Sequence, residues 1–251
     1  MSIWEFANPV RFMRLSGKLL PSITVLAAIT LIPALIWGFF FTLDDAKQGA
    51  TVKIIFVHVP TAFLAINIYF MMFVTSLIWL IRRHHVSALA AKAAAPVGAI
   101  MTLIALITGA VWGQPIWGTW WVWDPRLTSF LILFIFYIGY IALWAAVDEA
   151  DKAADLTSIL CMIGSVFAIV SRYAVQFWGD VGLHQNKSMT MVPLPDGTAA
   201  PVTKPPLDAS YYWPLALAIL GFFLLFLALL LLRTRTEIRN RRISALRARE
   251  A

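Results

Sequence analysis

Five of the eleven tryptophans in this 251-residue chain fall between positions 112 and 123. They stand in the run Trp112-Gly-Gln-Pro-Ile-Trp117-Gly118-Thr-Trp120-Trp121-Val-Trp123-Asp124-Pro-Arg126-Leu-Thr128. An aromatic belt at headgroup level accounts for one or two rings at each end of a loop. It does not account for five in one segment broken by Gly113, Pro115, Gly118 and Pro125. Those glycines and prolines argue against one long regular helix and favour a folded-back surface. Closely spaced indoles present rigid apolar area that loses little entropy on ordering, which suits a large flat ligand. Arg126 follows directly. It can pair a ligand carboxylate in bidentate fashion, or it can be a snorkelling anchor at the membrane surface. Asp124 ahead of Pro125 reads as the cap of the next helix.

Histidine supplies the second signal. Of the four, His84 and His85 lie in an Arg82-Arg83-His84-His85 turn and read as solvated loop residues. His58 stands just ahead of Pro60, a pairing that suits a first helical turn. His184 stands next to Gln185 in a long connecting segment. Singly, each of these two can be an ordinary hydrogen-bonded histidine. Taken together with the indoles, and on the same side of the membrane by the topology derived below, they read as two axial nitrogens for a haem iron.

The elements that position these residues are membrane spans. Hydrophobic residues make up 61% of the chain and charged residues only 13%, against about 25% charged in a soluble domain. Six stretches are long and apolar enough to cross the hydrocarbon core, which takes roughly 20 residues each: 19–43, 54–81, 93–112, 127–147, 156–178 and 211–232. The expected fold is therefore an all-α integral membrane protein, one polytopic domain over 1–251, with an external tryptophan-rich segment at 112–128. The first apolar run is too long for a cleaved signal and lacks a small-residue cleavage site. The segment 191–206, rich in proline and small polar residues, reads as an irregular or mobile loop.

The net charge of +7 is distributed by side, which argues for topology and against a nucleic-acid partner. The side of the two tails carries Arg11, Arg14, Lys18, Arg82, Arg83, Lys92, Lys152 and the arginines of 233–249. The opposite side carries Lys47, Lys53, Arg126, Arg172, Lys187 and Lys204. The positive-inside rule then places both termini in the cytoplasm and the tryptophan segment, His58 and His184 outside. The basic run 233–249 reads as a topology anchor, or as a contact for anionic headgroups or a cytoplasmic partner. Cys161, the only cysteine, lies inside the fifth span and reads as a small packing residue. Without Cys-x-x-Cys-His the chain is not a c-type cytochrome. No glycine loop of the phosphate-cradling kind is present, so any ATPase must be another subunit.

The run 117–128 resembles the signature of the WWD family of haem-handling membrane proteins. His58-Val59-Pro60 and Leu183-His184-Gln185 resemble that family's flanking histidine motifs. The resemblance covers nearly the whole chain, and six spans match the branch that serves cytochrome c maturation in bacteria and mitochondria. It implies that haem b is held at the outer face of the inner membrane, with His58 and His184 as axial ligands. The platform and propionate contacts would come from Trp112, Trp117, Gly118, Trp120, Trp121, Trp123, Asp124 and Arg126. It also implies partners: a membrane-anchored periplasmic haem chaperone, the ATPase and membrane subunits of an ABC transporter, and a small one-span helper. The sequence departs from the family pattern ahead of His184, where Phe177-Trp178 and a Gly-Asp-Val-Gly stretch replace paired tryptophans and a short spacer.

The first functional expectation is a non-enzymatic haem loader without its own ATPase. The alternatives are a haem-transporting subunit of an ABC-type exporter and an electron-transferring cytochrome b. The last normally keeps its histidines within the bundle, whereas these two stand at a helix end and in a loop.

Overall fold

The computed structural model describes residues 8–45, 48–177, 189–193, 199–203 and 209–250. It contains six helices long and apolar enough to cross a membrane: α1 (Pro9–Phe41), α2 (Ile55–Arg82), α3 (His85–Trp117), α4 (Pro125–Ala146), α5 (Ala150–Phe177) and α6 (Ala209–Glu250). The outward surface is aliphatic and aromatic, with Ile29, Ile32, Phe40, Phe70, Ile107, Ile135 and Ile163 exposed, as a lipid solvent allows. Inside, α3 presents Ala91, Ala94, Ala95, Thr102 and Ala105, all buried. Small residues let helices approach closely where the surrounding lipid supplies no hydrophobic drive, and α3 packs against α2, α4 and α6.

The helix ends are set by local chemistry. Asn8 caps α1, its Oδ1 accepting from Val10 N–H at 2.9 Å, with Pro9 at the first helical position. Arg83 takes a left-handed conformation, φ 53°, and closes α2 by donating its N–H to the Trp79 carbonyl. One residue later His84 caps α3, its Nδ1 accepting from Ser87 N–H at 3.0 Å. The connection from α2 to α3 is thus a two-residue turn, shorter than the charged loop expected there. His84 and His85 are structural and not merely solvated. His84 is half-buried, and burial and the neighbouring His85 hold its pKa below the ordinary imidazole value. The His85 ring lies 5.4 Å from that of Trp79.

Both tails sit at one end of the bundle. Arg235 on α6 donates to Met13 O at 2.5 Å and Ser16 Oγ at 2.8 Å on α1. Lys92 on α3 pairs with Glu237 at 2.8 Å, and Arg241 reaches Asp151 of α5 at 2.6 Å. At the same end Asp155 accepts from the Trp79 indole N–H at 2.9 Å and pairs with Arg83. Much of the tail-side positive charge therefore ties helices together. Among the described residues, Met189–Pro193 and Ala199–Thr203 pair as antiparallel strands, with Met189 opposite Thr203 and Pro193 opposite Ala199. Within 191–206, residues 191–193 and 199–203 are thus strand and not irregular; the rest of that segment lies outside the described residues.

Candidate functional site

The end of the bundle away from the tails holds a cavity of about 720 Å³. Four helices line it. Their contributions are His58, Phe63 and Asn67 of α2; Ala105, Gly109, Trp112 and Trp117 of α3; Arg126, Leu127 and Phe130 of α4; and Ser171 and Arg172 of α5. The volume is that of ligand sites, about 300–1,000 Å³, and so is the pattern of an apolar wall with a few convergent polar groups.

His58 stands in the first turn of α2, which a short 3-10 turn, Ala50–Ile54, leads into. Pro60 therefore falls one turn further in than a first-turn proline. The ring of His58 is held by one face of α3. Its Nδ1 lies 3.0 Å from Thr108 Oγ1. Trp112, one turn on, meets it edge to face with centroids 5.6 Å apart. Between them, a Cβ at Gly109 would stand 3.0 Å from His58 Cε1, so a larger residue here would push the imidazole by a few tenths of an ångström. Trp112 is anchored in turn, donating its indole N–H to Gln48 Oε1 at 2.7 Å.

The tryptophan segment divides into two parts. Gly113 and Pro115 do not interrupt α3, which continues to Trp117; this corrects the expectation that they would break it. Pro115 sits in the last turn, where it leaves the Val111 carbonyl without its i−4 donor but has little helix beyond it to disrupt. The break comes at Gly118, φ 74°, which caps the helix with its N–H on the Gln114 carbonyl; glycine occupies that left-handed region without steric cost. Trp112 and Trp117 consequently line the cavity. Trp120 and Trp123 point outward, 61% and 75% exposed. Trp121 packs edge to face on Trp123, 5.6 Å between centroids. Neither Gly118 nor any of these three lines the cavity, so the indoles divide into a wall and a rim and do not form one folded-back surface.

Asp124 is buried and turned into the start of α4, where it accepts from Leu127 N–H at 2.6 Å. It is the cap that the Asp-Pro pair indicated, and it does not line the cavity. Arg126 and Arg172 do, and they repel one another, while Asp124 attracts Arg126. Ser171, beside Arg172 on the wall, keeps a buried hydroxyl with no hydrogen-bond partner among the described residues. A buried hydroxyl without a partner costs free energy, and two cations in one cavity repel. A bound carboxylate relieves both. His184 lies outside the described residues.

Sequence reasoning missed Gln48, Thr108 and Ser171. The single available signal was spacing: Thr108, Gly109 and Trp112 share one helical face at i, i+1 and i+4.

Comparison with known proteins shows the family. The model of the family described as Heme exporter protein C matches residues 2–249. A protein of that name from Paracoccus denitrificans is 67% identical over 250 residues, covering all of this chain and 99% of the relative. Its namesake from Rhodobacter capsulatus is 64% identical over 251 residues, with the same coverage. The namesake from Escherichia coli K12 is 38% identical over 237 residues, 94% of this chain and 91% of the relative.

Proposed function

The chain belongs to the Heme exporter protein C family, and on that premise we propose that it binds haem at the outer face of the inner membrane and presents it to a haem chaperone during c-type cytochrome biogenesis. The observation that carries this reading is the convergence, on one cavity at the end away from the tails, of His58, Trp112, Trp117, Arg126 and Arg172. Haem b needs an axial nitrogen, flat apolar contact and partners for two propionates. These residues are of the types that supply all three.

In this reading haem is cargo. His58 offers the imidazole on one side and His184 the second nitrogen. Trp112 and Trp117 cover porphyrin edge or face. Arg126 and Arg172, with the Ser171 hydroxyl, take the propionates through charge-assisted hydrogen bonds. The exposed rings of Trp120 and Trp123 form the rim at which the acceptor docks. Both termini face the cytoplasm, by the lysine and arginine asymmetry. ATP-driven steps belong to ABC transporter subunits, and a small one-span protein packs beside the bundle.

The test is a visible spectrum of the purified chain. Wild type carries a Soret band of six-coordinate haem; His58→Ala and His184→Ala each lose haem or shift the band, and added imidazole partly restores it. Wild-type spectra in both variants would overturn the ligand assignment. Absence of haem from the wild type, even after reconstitution, would overturn the function.

A further inference from the structure

We infer that Thr108 is a positioning residue that fixes which nitrogen of His58 carries the proton, leaving Nε2 as the nitrogen that meets iron. The inference rests on His58 being an axial ligand, as proposed above, and adds to it a second residue with a defined task.

The argument is a count of protons. Thr108 Oγ1 lies 2.7 Å from the Ile104 carbonyl, one turn back in α3, and 3.3 Å from Ala105 O. A carbonyl can only accept, so the single hydroxyl proton of Thr108 is committed to this helix-internal bond. Thr108 therefore faces His58 Nδ1, 3.0 Å away, with a lone pair. For that contact to be a hydrogen bond, Nδ1 must be the donor. A neutral imidazole has one N–H, so Nε2 holds the in-plane lone pair. The opposite tautomer sets two acceptors against each other at hydrogen-bond distance.

The surroundings reinforce this choice. Thr108 is β-branched, and its χ1 is limited on a helix and tied further by the back-bond. Trp112 packs edge to face on the imidazole, and Gly109 leaves it room. The bonds run in one direction, from Nδ1–H to Oγ1 and from Oγ1–H to the Ile104 carbonyl. Such a chain polarises cooperatively and makes Nε2 a better electron-pair donor. Outer partners of this kind orient histidine ligands and raise their basicity, and removing one typically costs 10–100-fold in metal affinity.

The experiment uses the full-length chain in detergent. Thr108→Val keeps the shape and removes the acceptor; Thr108→Ser keeps the acceptor and removes a methyl. The expected result is a loss of roughly 10–100-fold in haem affinity for Thr108→Val, with a more positive reduction potential in whatever haem remains. Thr108→Ser should restore both. Nitrogen-15 spectra of histidine-labelled, haem-free wild type at alkaline pH, assigned by difference against His58→Gln, should show a protonated Nδ1. That measurement needs no Thr108 variant and survives any misfolding of Thr108→Val. A protonated Nε2 in the wild type overturns the inference. So does a Thr108→Val protein with unchanged affinity and potential, or a serine variant as defective as the valine one. If His58→Ala also keeps haem unchanged, the ligand reading itself has failed; if His58→Ala loses haem and Thr108→Val does not, only the role of Thr108 is lost.

Discussion

Arg126, in the first turn of α4, and Arg172, near the end of α5, line one cavity and repel one another. Two cations facing one cavity suit an anion, and a dicarboxylate answers both. Arg126→Gln and Arg172→Gln are therefore each expected to weaken haem binding by about tenfold, the order of one charge-assisted hydrogen bond. Haem dimethyl ester, which lacks the carboxylates, should bind wild type and both variants with similar affinity. Measured side by side by Soret titration, an equal loss for haem and its ester would show that the arginines hold the fold and not the ligand.

The indoles should separate by position. Trp112 lines the cavity, touches His58 and is anchored by Gln48, whereas Trp123 is 75% exposed. Trp112→Ala is expected to lower haem affinity by about tenfold or more, since a buried aromatic anchor contributes well over 1.4 kcal/mol. Trp120→Ala and Trp123→Ala should hold haem normally and slow its transfer to a purified acceptor chaperone. Equal haem loss in all three would return the segment to the one continuous ligand surface that the sequence suggested.

How much of this was legible beforehand divides along physical lines. The six spans were readable because a bilayer imposes one composition over a fixed length. The helix ends were not, because charge marks the edge of the hydrocarbon and not the end of a helix. α3 begins at His85 within a stretch taken as loop, since Val-Ser-Ala-Leu-Ala-Ala-Lys-Ala-Ala-Ala is strongly helix-forming and Lys92 pairs with Glu237. α6 runs on through its arginines to Glu250 for similar reasons. His58, Trp112, Trp117 and Arg126 were identifiable by type. Thr108, Gln48 and Ser171 were not, because their part depends on the lateral register of α2, α3 and α5, which no local pattern encodes.

The assignment of sides is open to a direct measurement. Alkaline phosphatase fused after Thr119, in the connection between α3 and α4, should be active. Fused after Asp148, between α4 and α5, it should be silent. Both positions lie in connections between helices, so the fusions leave every span whole. The reverse pattern would put the cavity on the cytoplasmic side and end the proposed role.

His84 gives a pH dependence with a definite sign. Its Nδ1 caps α3 as an acceptor, and burial with the nearby His85 lowers its pKa in the folded protein. The unfolded chain, with a pKa near 6.5, then binds the proton more readily than the folded one. The stabilisation is complete above about pH 6.5 and declines as pH falls from there towards the lower folded value. Thermal melting of wild type in detergent should drop across that window, and His84→Asp, which caps without needing a neutral ring, should flatten the drop. An identical pH profile in both would assign the acid sensitivity elsewhere.

Whether the chain carries haem across the bilayer or receives it at the outer face is decided by what lies beneath the cavity. Its deepest lining residues on α2 and α3 include Asn67 and Ala105. Towards the tails the interior is filled: Ile68, Tyr69, Met72, Leu133, Tyr137 and Tyr140 are all at most 1% exposed, and the Tyr137 hydroxyl is tied to the Ala65 carbonyl at 2.8 Å. A dianionic porphyrin crossing here would have to displace this packing and leave its charges without partners, a cost of several kcal/mol or more for each. Intramembrane paths for ions are lined by charged or readily charged side chains, whereas the residues that fill this stretch are aliphatic, thioether or phenolic. The chain in sealed liposomes, with haem inside and an apo-haem-binding reporter outside, should therefore release haem no faster than protein-free liposomes. Tyr137→Phe, which removes a buried hydroxyl without opening a passage, should change nothing. Release faster than the lipid background, and sensitive to substitutions at Tyr69 or Tyr137, would make this bundle a conduit and displace the loader model.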